Sequence, residues 1–170
     1  MNHIALLLEN QPGALSRVIG LFSQRGYNID SLSVAPTQDE TLSRLTMTIG
    51  EKGADINQIL KQLYKLVDVV MVQNLSEVDS LTLELAIIKL NKAKTDIEDF
   101  LKTYEFESEI LDEKDNYTIF KVLGDTQEIE QLLSELKKEE FLEVTRSGTL
   151  GMTKGNESLA TNDQTKISYD

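Results

Sequence analysis

Glu9-Asn-Gln-Pro-Gly-Ala-Leu15 is the segment whose residue types best suit a ligand. It leaves an apolar run and enters a helical pattern. The first turn of a helix offers unpaired N–H groups at the positive end of the helix dipole. Gly13 has no side chain, so a carboxylate can approach the backbone closely there. Asn10 carries an amide that accepts from an ammonium group or donates to a carboxylate. Asn28, beyond the helix, adds a second amide, and Leu15 and Ile29 offer an apolar wall. Together these meet the needs of a free amino acid with a branched aliphatic side chain. The same residues also fit ordinary structure. Pro followed by Gly is common helix-entry chemistry, and Asn tolerates the left-handed geometry of a turn.

Other chemistry is thinly represented. His3 is the single histidine and there is no cysteine, so no His or thiolate cluster for zinc can form. No G-x-S-x-G elbow, P-loop or G-x-G-x-x-G is present, and we assign no catalytic residue and no metal ligand. The net charge is −12, from 17 basic and 29 acidic side chains. A binder of nucleic-acid phosphates needs clustered Lys and Arg, and here they are scattered and outnumbered. No run approaches the ~20 apolar residues of a membrane span. Residues 1–8 lack the features of a secretory signal, and with no cysteine the expectation is a cytoplasmic protein.

A ligand loop needs a strand before it and a helix after it, and the flanking pattern supplies both. Residues 4–9 read as a buried strand. Leu15, Val18, Ile19 and Phe22 share one helical face, with Arg25 in the last turn and Gly26 as the C′ residue. Leu32 and Val34 alternate with Ser31 and Ser33 in a strand, and residues 36–41 are a turn. Leu45, Met47 and Ile49 then alternate with Arg44, Thr46 and Thr48. Ile56, Ile59, Leu60 and Leu63 form a second helical stripe, and residues 67–75 close the unit as a strand. The order β-α-β-β-α-β is the ferredoxin-like plan.

After a polar linker at 76–80 the order repeats. Residues 81–90 are a strand with Leu81, Leu83, Leu85 and Ile87 in alternation. Ile97, Phe100, Leu101 and Tyr104 make a helical stripe, and 106–111 with 117–123 a hairpin. Asp125 and Glu128 open a helix as a capping box, lined by Ile129, Leu132, Leu133 and Leu136. Residues 142–146 are the last strand, and Gly148, Gly151 and Gly155 mark a loose segment. The expected fold is therefore α+β: two ferredoxin-like βαββαβ units in tandem, over 2–77 and 80–155, with a flexible, disordered tail at 156–170. Each unit leaves one sheet face and its edges uncovered, which favours a homodimer.

The loop Glu9-Asn-Gln-Pro-Gly-Ala-Leu15 resembles the ligand loop of ACT domains, amino-acid-sensing modules built on this plan. The longer run Gly13-Ala-Leu-Ser-Arg-Val-Ile-Gly-Leu-Phe-Ser-Gln-Arg-Gly-Tyr-Asn-Ile-Asp-Ser-Leu32 is similar to the small regulatory subunit family of acetolactate synthase (acetohydroxyacid synthase). Thr41-Leu-Ser-Arg-Leu-Thr46 and Gln62-Leu-Tyr-Lys-Leu-Val-Asp-Val69 strengthen the likeness, and Thr145-Arg-Ser-Gly148 resembles that family's C-terminal segment. The resemblance spans about residues 2–155 and is most specific in the first half. It implies that 2–77 is an ACT domain for effector binding and dimerisation, and that 80–155 is the small subunit's C-terminal ferredoxin-like domain.

The family divides the work. A separate large catalytic subunit holds thiamine diphosphate, magnesium and FAD and condenses pyruvate with pyruvate or 2-oxobutyrate, opening valine, leucine and isoleucine synthesis. The small subunit is non-catalytic, raises the large subunit's activity and confers feedback inhibition by valine. The resemblance places the effector between two paired ACT domains, at Asn10, Gly13, Ala14 and Leu15 and at Asn28 and Ile29. Asp30 stands where relatives often have Glu. A free-standing ACT-type sensor acting on another protein fits the loop equally well. A ferredoxin-like acylphosphatase would need an anion-binding Arg and a water-orienting Asn; Arg17 and Asn10 have those types without the loop. An RNA-binding module would need paired aromatics on its central strands, which are absent.

Overall fold

A computed structural model describes residues 1–50, 55–156 and 158–159. The described residues form two compact units, one drawn from 1–81 together with 150–156 and 158–159 and the other from 82–149. In the first, the elements are β1 (Asn2–Glu9), α1 (Ala14–Gln24), β2 (Ile29–Pro36), β3 (Leu42–Ile49), α2 (Ile56–Leu63) and β4 (Val69–Asn74). The sheet is antiparallel in the order β2-β3-β1-β4. Successive strand residues point to opposite faces. Ile4, Leu6 and Leu8 of β1, with Leu45 and Met47 of β3, therefore meet Val18, Leu21 and Phe22 of α1 and Ile59 and Leu63 of α2 in one core.

α1 ends as its sequence dictates. The N–H of Tyr27 donates to Phe22 O at 3.1 Å and that of Gly26 to Ser23 O at 3.2 Å, with Gly26 at φ +69°. This double closure is the Schellman motif. Ile19, expected on the apolar face, is 40% exposed, and Leu21 is buried in its stead.

The opposite sheet face is not bare. Ala5, Leu7 and Leu75 pack there with Leu159, flanked by Leu42 and Met71. The segment around Gly151, expected to be loose, is a short strand, β9 (Leu150–Thr153). The N–H of Gly151 donates to Thr46 Oγ1 at 3.3 Å, and its carbonyl accepts from Arg44 at 2.7 Å. Leu159, within the expected tail, is only 4% exposed. Most of the remainder of that expected tail lies outside the described residues.

The second unit contains β5 (Ser80–Leu90, which begins at the end of the first), α3 (Lys94–Leu101), β6 (Glu107–Lys114), β7 (Tyr117–Gly124), α4 (Thr126–Glu135) and β8 (Phe141–Arg146). Its sheet runs β6-β7-β5-β8. α4 opens with the expected capping box: Asp125 accepts from the Glu128 N–H at 2.8 Å, and Glu128 accepts from the Asp125 N–H at 2.7 Å.

The inward face of β5 differs from the expected one. Glu84, Ala86, Ile88 and Leu90 are buried, whereas Leu81 is exposed and Leu83, Leu85 and Ile87 are half-buried. Both faces of this strand are rich in apolar residues, so pairing with β7 decides which faces the helices. Glu84 is tolerated inside because Arg146 forks it at 2.6 and 3.1 Å and also reaches Glu130 at 2.5 Å. A buried carboxylate without such a partner would be strongly destabilising. Tyr104 lies beyond the end of α3, stacked on Phe106.

Candidate effector site

The loop after β1 is fastened on both sides. The N–H of Glu9 donates to Asp68 O at 2.9 Å and that of Asn10 to Thr41 O at 2.7 Å. The Asn10 side chain donates to Glu40 O at 2.9 Å. One amide hydrogen thus holds the β2–β3 turn, while among the described residues the Asn10 Oδ1 has no partner.

Gly13 stands at the N-cap of α1 with φ +90° and no side-chain cap, so the first-turn N–H groups lack that cover. Ala14 is buried, and Leu15 is half-buried against the core. Sequence reasoning did not place Arg17 at this site, although its i+4 spacing from Gly13 signals the same helix face. A Cβ on Gly13 would stand 2.9 Å from Arg17 Nη1. Arg17 donates through Nε and, at 2.7 Å, through Nη2 to the buried Asp68. That fork holds the Asp68 carboxyl below the usual carboxylate range, and Nη1 stays beside Gly13. First-turn N–H groups and the Arg17 guanidinium thus share the start of α1, an arrangement that suits a carboxylate, with the Ala14 N–H itself donating to Gln11 O at 3.2 Å.

Asn28 and Ile29 lie elsewhere. Ile29 is level with Ile49, and Ile49 with Asn2, at the start of β1. The Asn10–Gly13 loop follows Glu9 at the strand's other end. Seven residue steps at ~3.4 Å separate the two ends by about 24 Å. One chain therefore brings together Asn10, Gly13, Ala14 and Leu15, and it does not bring Asn28 and Ile29 to them. At its own end, Asn28 Nδ2 donates to Asp30 Oδ1 at 2.5 Å, and Ile29 is half-buried on the core.

The edge strand β2 joins these two ends. It pairs on one side only. On its helix side Val34 is 41% exposed, and Ile19 of α1 is 40% exposed. His3 is remote from the loop: its Nδ1 lies 3.1 Å from Thr48 Oγ1, and burial lowers its pKa. Among the described residues no group of three or more His, Asp or Glu is placed to hold a metal ion. No helix among them is long and apolar enough to cross a membrane.

Known proteins match nearly the whole chain. A family model described as the AHAS small subunit-like ACT domain matches residues 4–71, and one described as the small subunit of acetolactate synthase matches residues 83–155. The isozyme 3 small subunit of acetolactate synthase from Salmonella typhimurium is 41% identical over 92% of this chain and 97% of that protein. The acetolactate synthase small subunit of Haemophilus influenzae is 39% identical over 92% and 97%. The crystal structure of the acetolactate synthase small subunit from Thermotoga maritima superposes with a TM-score of 0.78 at 30% identity, covering 92% of this chain and 98% of that one. With matching sequence in both units and matching topology throughout, the chain belongs to the acetolactate synthase small-subunit family.

Proposed function

We propose that this chain is the regulatory subunit of an acetolactate synthase. It binds a separate catalytic subunit that carries thiamine diphosphate, magnesium and FAD, raises its rate, and transmits feedback inhibition by valine. Valine sits between the ACT domains of two copies. Its carboxylate lies against the α1 N-terminus and Arg17 of one copy, and its side chain against Leu15 and the partner copy's Ile29.

The observation that carries this reading is the separation of the two half-sites. A two-fold axis beside β2 pairs that edge with its copy in antiparallel sense, the arrangement that also covers Val34 and Ile19. Ile29 begins β2 and Pro36 ends it. Antiparallel pairing therefore sets Asn28 and Ile29 of one copy beside the far end of the other, where the Asn10–Gly13 loop stands. Two equivalent sites result, each built from both chains. Valine shifts the catalytic partner through its different affinity for two states of the complex, a coupling of typically ~1–3 kcal/mol.

Two lesions in opposite half-sites test the arrangement. Gly13→Asp and Asn28→Ala each abolish or strongly weaken valine binding when made alone. Co-expressed, they form mixed dimers in which one site carries both lesions and the other carries neither. Calorimetry of the mixture then recovers about a quarter of the wild-type stoichiometry at wild-type affinity. A mixture that binds no better than either variant rules out a shared site. The activity itself is read by acetolactate formation by the catalytic subunit, with and without this chain, across a valine series. No change in rate or valine response leaves a free-standing sensor as the better reading.

A further inference from the structure

The helical side of the first unit carries a groove of about 550 Å3 between α1 and α2, floored by Gly20 and Leu21 and flanked by Arg17, Gln24 and Gln62. It begins at Gly13 and follows the stripe 13, 17, 20, 24 along α1, away from Ile19. Gly20 has no internal reason to be glycine. It lies inside an 11-residue helix, where glycine is unfavourable, and a Cβ there would meet nothing within 4 Å. The room it leaves is open space at the helix surface.

The charge at the groove is equally unmatched. Arg17 is occupied by Asp68. Arg25 donates only to neutral acceptors, Leu21 O at 3.4 Å and Gln62 Oε1 at 3.0 Å. Lys65, also in the lining, has no acidic partner among the described residues. Two cations without an acidic partner among the described residues thus line the groove, on a chain of net charge −12. α1 is about 16 Å long at 1.5 Å per residue, which suits a stretch of polypeptide better than a single small anion. The side-chain amides of Gln24 and Gln62 can serve a main chain as donors and acceptors.

We propose that this groove docks a carboxylate-bearing segment of the catalytic partner, lying over Gly20 with acidic side chains against Arg25 and Lys65. The inference rests on the assignment of the chain as a regulatory subunit. It places the partner contact on the opposite flank of α1 from the β2 edge, so that one helix joins the effector loop to the partner.

The test uses the full chain and its catalytic subunit, with complex affinity measured at low and high salt. Gly20→Leu fills the groove, the exposed double variant Arg25→Glu/Lys65→Glu reverses its charge, and Gly20→Ala is the control. Wild-type affinity should rise as salt falls. The double variant should bind at least about tenfold more weakly and have little of that salt dependence, as reversal of a docking field predicts. Gly20→Leu should weaken the complex by about tenfold, or ~1.4 kcal/mol, because its side chain occupies the space the segment needs. Gly20→Ala should match wild type. Valine binding by each variant alone should be retained. Wild-type affinity and salt response in both groove variants overturn the proposal. So does a change in the oligomeric state of Gly20→Leu without the partner, which would assign the groove to a second copy. If wild type forms no complex with the catalytic subunit, the regulatory-subunit reading itself fails and this inference falls with it.

Discussion

Gly13 and Arg17 act as one device at the start of α1. A side chain at position 13 would be strained by φ +90° and would meet Arg17 Nη1 at 2.9 Å. Gly13→Asp therefore works in two ways: its carboxylate attracts the Arg17 guanidinium, and in the proposed site it faces the effector's own carboxylate. Like charges ~4 Å apart cost roughly 1 kcal/mol in water and ~4 at an effective dielectric near 20. Asp68 is what keeps Arg17 in place, and Asp68→Asn tests that role. The Asp68 pKa is depressed by the hydrogen bonds from Arg17. Its stabilising effect is thus present above the ordinary carboxylate pKa and is lost as pH falls through the folded value. The variant should melt below wild type at pH 7, the gap should narrow toward pH 3, and valine affinity should drop. Parallel melting curves at every pH would show that the pair contributes nothing to stability.

At the scale of elements, the two units differ at corresponding sheet edges. β2 offers an open edge with Val34 exposed. β6, at the same place in the second sheet, carries Glu107, Glu109, Asp112 and Glu113. Charges along an edge strand oppose pairing with another strand, so β2 is the edge suited to self-association. Val34→Lys places a charge on that edge without touching the core. It should shift the chain toward monomer in sedimentation velocity and, in the proposed two-chain site, weaken valine binding with it. A monomeric variant with unchanged valine affinity would contradict the shared site.

At the scale of the whole molecule, residues beyond the second unit complete the first. Gly151 bonds to Thr46, and Leu159 covers Ala5, Leu7 and Leu75 on the face the helices leave open. Leu159→Ala should lower stability by about 2 kcal/mol, the lower end for removing a buried leucine, read as an earlier midpoint in urea. A fragment ending at Glu77 keeps β2 and the loop but lacks this cover. It should unfold at lower temperature than the full chain while remaining able to dimerise. Equal stability of Leu159→Ala and wild type would show that the contact adds nothing.

Local chemistry was legible in the sequence because it acts over three or four residues. The α2 stripe, the α1 stripe apart from Ile19, the Schellman closure at Gly26 and the Asp125–Glu128 box all follow from spacing along one turn of backbone. The candidate loop at 9–15 was visible for the same reason, as a strand end, a glycine and a helix start in succession. The features that emerged only on folding depend on residues distant in the chain. The core face of β5 was ambiguous because Leu83, Leu85 and Ile87 rival Ala86, Ile88 and Leu90, and a one-residue slip in register exchanges the two sets. Burial of Glu84 depends on Arg146, 62 residues later, and burial of Leu159 on the underside of β1. Arg17 joined the candidate site through Asp68, 51 residues away. Asn28 was near the loop in sequence yet lies at the other end of the sheet, because α1 carries the chain back along β1 before β2 begins.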